Sequence, residues 1–248
     1  MHTFRINSEI PVPTNCLMQY RGIAFDGTHF YLTRPDSCQV LKFNEQFHQV
    51  GCYDVGRKYT SICYDSQDNC FWASAEDCYY KVLKLNTIFQ EIDYLTIRPC
   101  DKCGGVICGI SYNCEDDSIL VALANCIVCI KKDGSCSPYI QQEHYKLWNT
   151  SVLSLSPGYL FSYMKDCKQH IAICSSDDKI VKKIRISSNF LIQGMVFDPC
   201  TTNDIHHCNI FILVSKHGCY PYVLKWELEP SELDIDINMC NFRICDYH

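Results

Sequence analysis

The chain has 248 residues, 47% of them apolar and 20% charged, which is enough to bury a core and excludes a disordered chain. Eleven glycines and nine prolines exclude a collagenous or low-complexity one. Twenty-two basic against 28 acidic residues give a net charge of −6, which argues against bulk nucleic-acid binding and against an anionic membrane surface.

The N-terminal segment Phe4 to Ile10 reads as one strand. No apolar h-region follows Met1, so the expected location is cytoplasmic; a secreted chain stripped of its leader would read the same. The longest apolar run, Ile119 to Ile130, is interrupted by Asn125 and is too short to span a bilayer.

From residue 22 the chain repeats itself. The first unit runs Gly22-Ile23-Ala24-Phe25-Asp26, then His29 to Thr33, then Val40-Leu41-Lys42-Phe43-Asn44, then Val50 to Val55. The second opens Ser61-Ile62-Cys63-Tyr64-Asp65 and continues through Phe71 to Ser74, Val82 to Asn86 and Glu91 to Leu95. The third opens at Gly109, the fourth at Val152 in more worn form, and the fifth at Gly194-Met195-Val196-Phe197-Asp198. Openings at 22, 61, 109, 152 and 194 give a mean period of 43 residues. Four short alternating strands per unit at this period predict an all-β fold, a β-propeller of four-stranded blades.

The Asp or Asn closing the first strand suits a turn in which its side chain bonds the backbone. The small residue inside that strand (Ala24, Cys63, Ser111, Ser154, Val196) suits the crowded position nearest the axis. The best helical stretch, Gln141 to Leu147, is short. Residues 98–106 read as an enlarged connection within a single propeller domain spanning 1–248.

Five units leave both termini over, and a terminal strand can complete the last blade and remove a sheet edge. Five blades closed in this way are expected; a sixth, reduced blade from 233–246 and 3–12 is the alternative.

The pattern Gly-Ile-x-(Phe/Tyr)-Asp, an aromatic strand, then Val-Leu-Lys-Phe-Asn resembles the blades of NHL-type and YWTD/TolB-like β-propellers, most closely over residues 22 to 55. The resemblance implies the fold. Members of those families bind proteins, ligands or RNA, or act as lyases, and no residue set here carries one of those mechanisms over.

Twenty cysteines are many for such a chain. Most read as reduced, half-buried thiols packed as small hydrophobes, with partial oxidation or metal binding as the alternative. One recurs between the second and third strands of every unit: Cys38, Cys78, Cys126, Cys167 and Cys219. Adjacent blades hold such positions roughly 10 Å apart, too far for disulfides or shared zinc. The sharper metal candidate is Cys100-x-x-Cys103 with Cys78 and Cys126, a four-thiolate zinc set near Cys108. Cys126 and Cys129 should face opposite sides of one strand. Cys200, His206, His207 and Cys208 form a weaker mixed cluster in the fifth unit, on the opposite face.

Charged residues gather in the loops that carry the recurring cysteine: Arg34, Asp36, Glu76, Asp77, Lys165, Asp166, Lys216 and His217. This face is the expected binding face, for a protein or a small polar ligand, with no cofactor beyond the candidate zinc and no nucleic-acid or membrane partner. Phosphate-loop, dinucleotide, Ser-elbow and HExxH motifs are absent. The expectation is a non-catalytic binding propeller; an enzyme of lyase or hydrolase type with a site at the central mouth is the alternative. A monomer is expected, and an edge-strand dimer is the other arrangement.

Overall fold

The computed structural model describes residues 8–12, 19–98, 106–124, 126–137, 140–141, 151–155, 158–165, 168–175, 177, 179–186, 190–198, 208–216 and 221–228. Strand β1 (Ser8–Pro11) comes first. Blade 1 follows as β2 (Ile23–Phe25), β3 (Phe30–Arg34), β4 (Gln39–Phe43) and β5 (Gln49–Asp54). Blade 2 is β6 (Tyr59–Asp65), β7 (Cys70–Ala75), β8 (Lys81–Leu85) and β9 (Glu91–Thr96). Blade 3 is β10 (Ile107–Asn113), β11 (Ser118–Leu123), β12 (Cys126–Lys131) and β13 (Ile140–Gln141). Blade 4 is β14 (Val152–Leu155), β15 (Gly158–Lys165), β16 (Lys168–Cys174) and β17 (Ile180–Arg185). Blade 5 is β18 (Phe190–Asp198), β19 (Cys208–Lys216) and β20 (Tyr222–Leu228), completed by β1.

All five sheets are antiparallel and four-stranded, and the first strands β2, β6, β10, β14 and β18 touch one another in a closed ring around the axis. The fold is a five-bladed β-propeller. The sixth-blade alternative is overturned, because β1 pairs with β20 from Ser8↔Lys225 to Pro11↔Tyr222 and becomes the outer strand of blade 5. The pairing covers the edge of β20 and joins the N-terminal segment to the last described blade. Of the expected helical stretch only Gln141 is described, and it ends strand β13; residues 142–150, 99–105 and 229–248, on which the rest of that expectation, most of the expected enlarged connection and the expected C-terminal strands fall, lie outside the described residues.

The core is divided by the blades. Five buried hydrophobic clusters occur, one at each junction between neighbours. Strand alternation produces this division. In β11, Ile119, Val121 and Leu123 pack toward blade 2, while Leu120 and Ala122 pack toward blade 4. Each such fully buried side chain contributes about 1.5–3 kcal/mol, so the junctions dominate stability.

The turn chemistry follows the repeat. Asp26 Oδ1 accepts from the N–H groups of Thr28 (2.8 Å) and His29 (2.7 Å), and Asp65 Oδ1 from those of Gln67 (3.0 Å) and Asp68 (3.1 Å). Asn44 and Asn86 play the same part in the turns after β4 and β8. Three residues beyond each, Phe47 and Phe89 adopt positive φ (56° and 63°) and fold back into the core, 1% and 3% exposed.

The first strands also lean on one another through small residues. A Cβ on Gly22 would lie 2.9 Å from the Ile62 nitrogen and Ser61 Cα of blade 2, and one on Gly194 would lie 3.1 Å from the Ile23 nitrogen of blade 1. Serines in these strands bond across instead: Ser61, which stands where blades 1, 3 and 5 have glycine, accepts the N–H of Ile110 at 3.1 Å through its Oγ, and Ser111, at the position of Ala24, accepts that of Ser154 at 2.9 Å.

Candidate functional site

Three blades break their regular pairing at one place. Between β6 and β7, Tyr59 faces Ala75 and Ser61 faces Ser74, which leaves Thr60 over. Between β10 and β11 the residue left over is Cys108, and between β18 and β19 it is Gln193. Each bulge sits at the start of a first strand, just before the small residue that touches the next blade. In blade 1 the corresponding residue is Arg21, which precedes Gly22. In blade 4 Ser151 bonds Ser162 as Gly22 bonds Thr33, so the unit opens at Ser151, one residue before the expected Val152, and the equivalent position, 150, lies outside the described residues.

A bulge turns its extra side chain away from the alternation of its strand. Here all four side chains go to one place. Arg21, Thr60, Cys108 and Gln193 line a single cavity of about 220 Å³ with Glu76, Cys78, Tyr79, Ala75, Val106, Ile107 and Ile192. Because the first strands begin there, the cavity marks the axial mouth on the face of the loops between second and third strands. Tyr79 (64% exposed) and Val106 (55%) form an apolar rim above the polar floor.

Second contacts hold several of these groups. Gln193 Nε2 donates to Ser215 Oγ (3.0 Å), and Thr60 Oγ1 lies 2.9 Å from Ser74 Oγ. Glu76 is anchored by its own N–H to the carbonyl of Lys58 (3.1 Å) and its carboxylate lies 3.6 Å from Lys58 Nζ. Both partners of that pair are about half exposed, so it is weak and Glu76 is free to exchange it for a ligand.

Behind Cys78 stands Arg57, with Nη1 2.7 Å from Cys78 Sγ, Nη1 3.6 Å from Asp77 Oδ2 and Nε 2.9 Å from Glu91 Oε1. Tyr59 donates its hydroxyl to the same Glu91 oxygen at 3.2 Å. Burial pushes the Cys78 thiol up, and the Arg57 guanidinium beside it does not reverse this. Cys78 is therefore a protonated thiol at neutral pH and not a nucleophilic thiolate.

Of the charged residues singled out from the sequence, only Glu76 among the described ones reaches the cavity. Asp77 points to Arg57. Arg34 is absorbed in its own loop, donating to Ser37 Oγ (2.5 Å) and to Gln39 Oε1, and Asp36 is exposed in the 3-10 turn Pro35–Ser37. Lys165 ends β15 and is exposed. Asp166 and His217 lie outside the described residues; Lys216 ends β19. The ring Arg21, Thr60, Cys108 and Gln193 escaped sequence reasoning, although each immediately precedes an opening residue of the repeat and that alignment would have exposed it.

The four-cysteine zinc set is not assembled among the described residues. Cys78 packs at the junction of blades 1 and 2, whereas Cys126 is buried at that of blades 2 and 3 and is disulfide-bonded. A disulfide sulfur is not a thiolate, so Cys126 does not serve zinc in this state. Cys100, Cys103, Cys167, Cys219, Cys200, His206 and His207 lie outside the described residues, and Cys208 begins β19. Cys126 and Cys129 do face opposite sides of β12, one in each adjoining cluster. Among the described residues no helix is long and apolar enough to cross a membrane.

No family model matches the chain, and no curated protein matches it by sequence. By structure, 836 solved chains match. One is the crystal structure of the glutaminyl cyclase of Myxococcus xanthus, at 12% identity and a TM-score of 0.64, covering 92% of this chain and 98% of that one. At this identity the likeness speaks for the fold alone. Ring closure, blade composition and this likeness agree that the chain is a β-propeller, five-bladed in this structure.

Proposed function

We propose that the protein binds a small polar ligand at the axial mouth, with Arg21 and Glu76 as the charged contacts and Thr60 and Gln193 as neutral ones. The observation that carries this reading is the convergence of three bulged residues and Arg21 on one cavity, since bulges repeated at one level of a ring re-aim side chains toward a shared point. A guanidinium and a carboxylate lining one cavity suit a zwitterion such as an amino acid or a short peptide. The apolar rim of Tyr79 and Val106 suits its hydrocarbon part. The charged loops farther out, and the NHL-like character of the repeat, belong to this reading only as surroundings of the mouth.

A second reading is favoured by one observation: the Myxococcus xanthus relative in fold is a glutaminyl cyclase, an enzyme, and the propeller accounts for 98% of its chain. In this reading Glu76 handles a proton on a substrate bound at the same mouth. One experiment separates the two. The full chain is screened by thermal shift against free amino acids and dipeptides, including a glutaminyl dipeptide, and the same mixtures are assayed by mass spectrometry. A shift without conversion supports binding. Conversion that is lost in Glu76→Gln supports the enzyme. No shift and no conversion rejects both.

A further inference from the structure

Two sulfurs share the mouth with its charged groups. Of the ten reduced cysteines among the described residues, only Cys78 and Cys108 line the cavity, and both are partly exposed. They come from different blades. Cys78 follows β7, with its N–H bonded to the Ala75 carbonyl at 3.1 Å, and Cys108 is the bulged residue at the start of β10. The joint between those blades is fixed close by: β10 packs on both β6 and β7, and the Ile110 N–H donates to Ser61 Oγ. Arg57 Nη1 donates to Cys78 Sγ at 2.7 Å, and Cys108 Sγ lies 3.7 Å from the Val106 carbonyl oxygen. Arg21 and Glu76 line the same cavity.

These surroundings set the pair apart from the other described thiols. Cys52 and Cys114 are exposed and meet any reagent directly from solvent, while Cys63, Cys70 and Cys174 are buried; none of the five lines the cavity. A molecule that reaches Cys78 or Cys108 enters a cavity lined by a guanidinium and a carboxylate as well. Binding to those charges places its reactive atoms beside the sulfurs, and proximity of this kind speeds a reaction with no change in the thiol itself. The reagent that uses both the charges and the sulfurs is a small disulfide bearing amino and carboxylate groups.

We propose that the mouth is a thiol–disulfide exchange site for small zwitterionic disulfides of the cystine type. The charged contacts are those of the binding reading above, on which the proposal rests. The Cys108 sulfur, as thiolate, attacks one sulfur of the bound disulfide. A bond from Cys108 to that sulfur forms, the bond between the two small-molecule sulfurs breaks, and the leaving thiolate takes up a proton. Cys78 then attacks the Cys108 sulfur, which joins the two residues and releases the second half as a thiol. Over both steps the cysteine pair loses two electrons and the small disulfide gains them, and the two cysteine protons leave on the two small thiols. Arg57, beside Cys78 Sγ, offsets the negative charge that develops on that sulfur as it attacks. The product links blades 2 and 3 across the mouth, so the oxidised protein is closed to further ligand.

The test uses the full chain at neutral pH. It is exposed for graded times to cystine, or to hydroxyethyl disulfide, which carries no charge, then quenched with acid and mapped by mass spectrometry. With cystine, modification at Cys108 is expected to outrun that at Cys52 and Cys114 by roughly tenfold or more, and with hydroxyethyl disulfide this preference is expected to vanish. The cystine product is expected to be a Cys78–Cys108 link in wild type and a cysteinyl adduct on Cys108 in Cys78→Ala. Arg21→Ala and Glu76→Gln are each expected to remove the preference for cystine and to leave the hydroxyethyl disulfide rates unchanged, the second result showing that the mouth is still folded. Cystine modification at Cys52 and Cys114 first, or equal preference with both disulfides, overturns the proposal, as does a wild-type adduct that never resolves to the link. A thermal shift with free amino acids but no preferential exchange sinks this proposal and leaves the binding reading standing; absence of both sinks the reading as well.

Discussion

Ser61 Oγ accepts the N–H of Ile110, 49 residues downstream, at 3.1 Å. Thr60, beside it, is the bulged residue that turns into the mouth. Adjacent positions of β6 therefore divide two duties: one side chain meets the ligand cavity and the next holds blade 3. Ser61→Ala leaves a buried N–H without its acceptor and is expected to cost about 1–3 kcal/mol, or roughly 2–12 °C in Tm. Ser111→Ala, which takes the acceptor from Ser154, is expected to cost as much. Thermal melts of both variants check this.

Gly22 and Gly194 are required by close approach and not by an unusual φ. A methyl on Gly22 would meet the backbone of blade 2 at 2.9 Å, which cannot be relieved by rotating a side chain. Gly22→Ala is expected to destabilise by about 1–3 kcal/mol through overpacking. Gly27→Ala, at φ +95° with open space around it, is expected to cost about 1 kcal/mol from backbone strain alone. Urea unfolding of the two variants side by side separates the mechanisms.

A charge cluster between blades 2 and 3, in which Lys132 Nζ lies 2.9 Å from Asp65 Oδ2, 3.2 Å from Asp68 Oδ2 and 2.5 Å from Asp117 Oδ1, makes stability depend on pH in a defined direction. Hydrogen bonding from Lys84, aided by Lys132, holds the Asp68 carboxyl below its ordinary value of 3.8. A depressed folded pKa contributes stability that is fully present above the unfolded value and is lost as pH falls through the folded one. Asp68→Asn is therefore expected to be less stable than wild type at pH 6, with the difference shrinking as pH falls below about 4. Urea midpoints of both proteins from pH 6 to pH 2.5 check this; a constant difference contradicts it.

Thiol reactivity should follow burial. Cys52 and Cys114 are exposed, whereas Cys63, Cys70 and Cys174 are buried. Burial pushes the Cys70 thiol up to about 12, with Asp65 adding to the effect, and drives Cys63 up as well. Alkylation of the folded protein at neutral pH, mapped by mass spectrometry, is expected to label Cys52 and Cys114 and to leave Cys63, Cys70 and Cys174 unmodified until denaturant is added.

The repeat period, blade number, closure by a terminal strand and the Asp and Asn turns were all legible in the sequence, because each is a local pattern recurring at fixed spacing. Strand limits read from alternation lie within a residue or two of those observed in blades 1 and 2; β4, read as 40–44, runs 39–43. Phe47 and Phe89 were missed because nothing about a phenylalanine advertises a positive φ; only their equal distance from Asn44 and Asn86 does. The mouth was legible only in part. Charge points to Arg34, which bonds within its own loop, to Asp36, which is exposed, and to Asp77, which pairs with Arg57, while Thr60, Cys108 and Gln193 are unremarkable residue types that matter because of a bulge. Lys132 and its carboxylates are up to 67 positions apart and meet only when blades 2 and 3 pack.

Isothermal titration of the strongest ligand from the thermal-shift screen against wild type, Arg21→Ala and Glu76→Gln tests the mouth most directly. Glu76 is about half exposed, so Glu76→Gln is expected to keep the wild-type Tm and its effect is read as binding. The expected result is a loss of roughly tenfold or more in affinity for each variant, the range of a charged hydrogen bond given up on one side. Unchanged affinity in both variants would place the ligand elsewhere and contradict the assignment of the site.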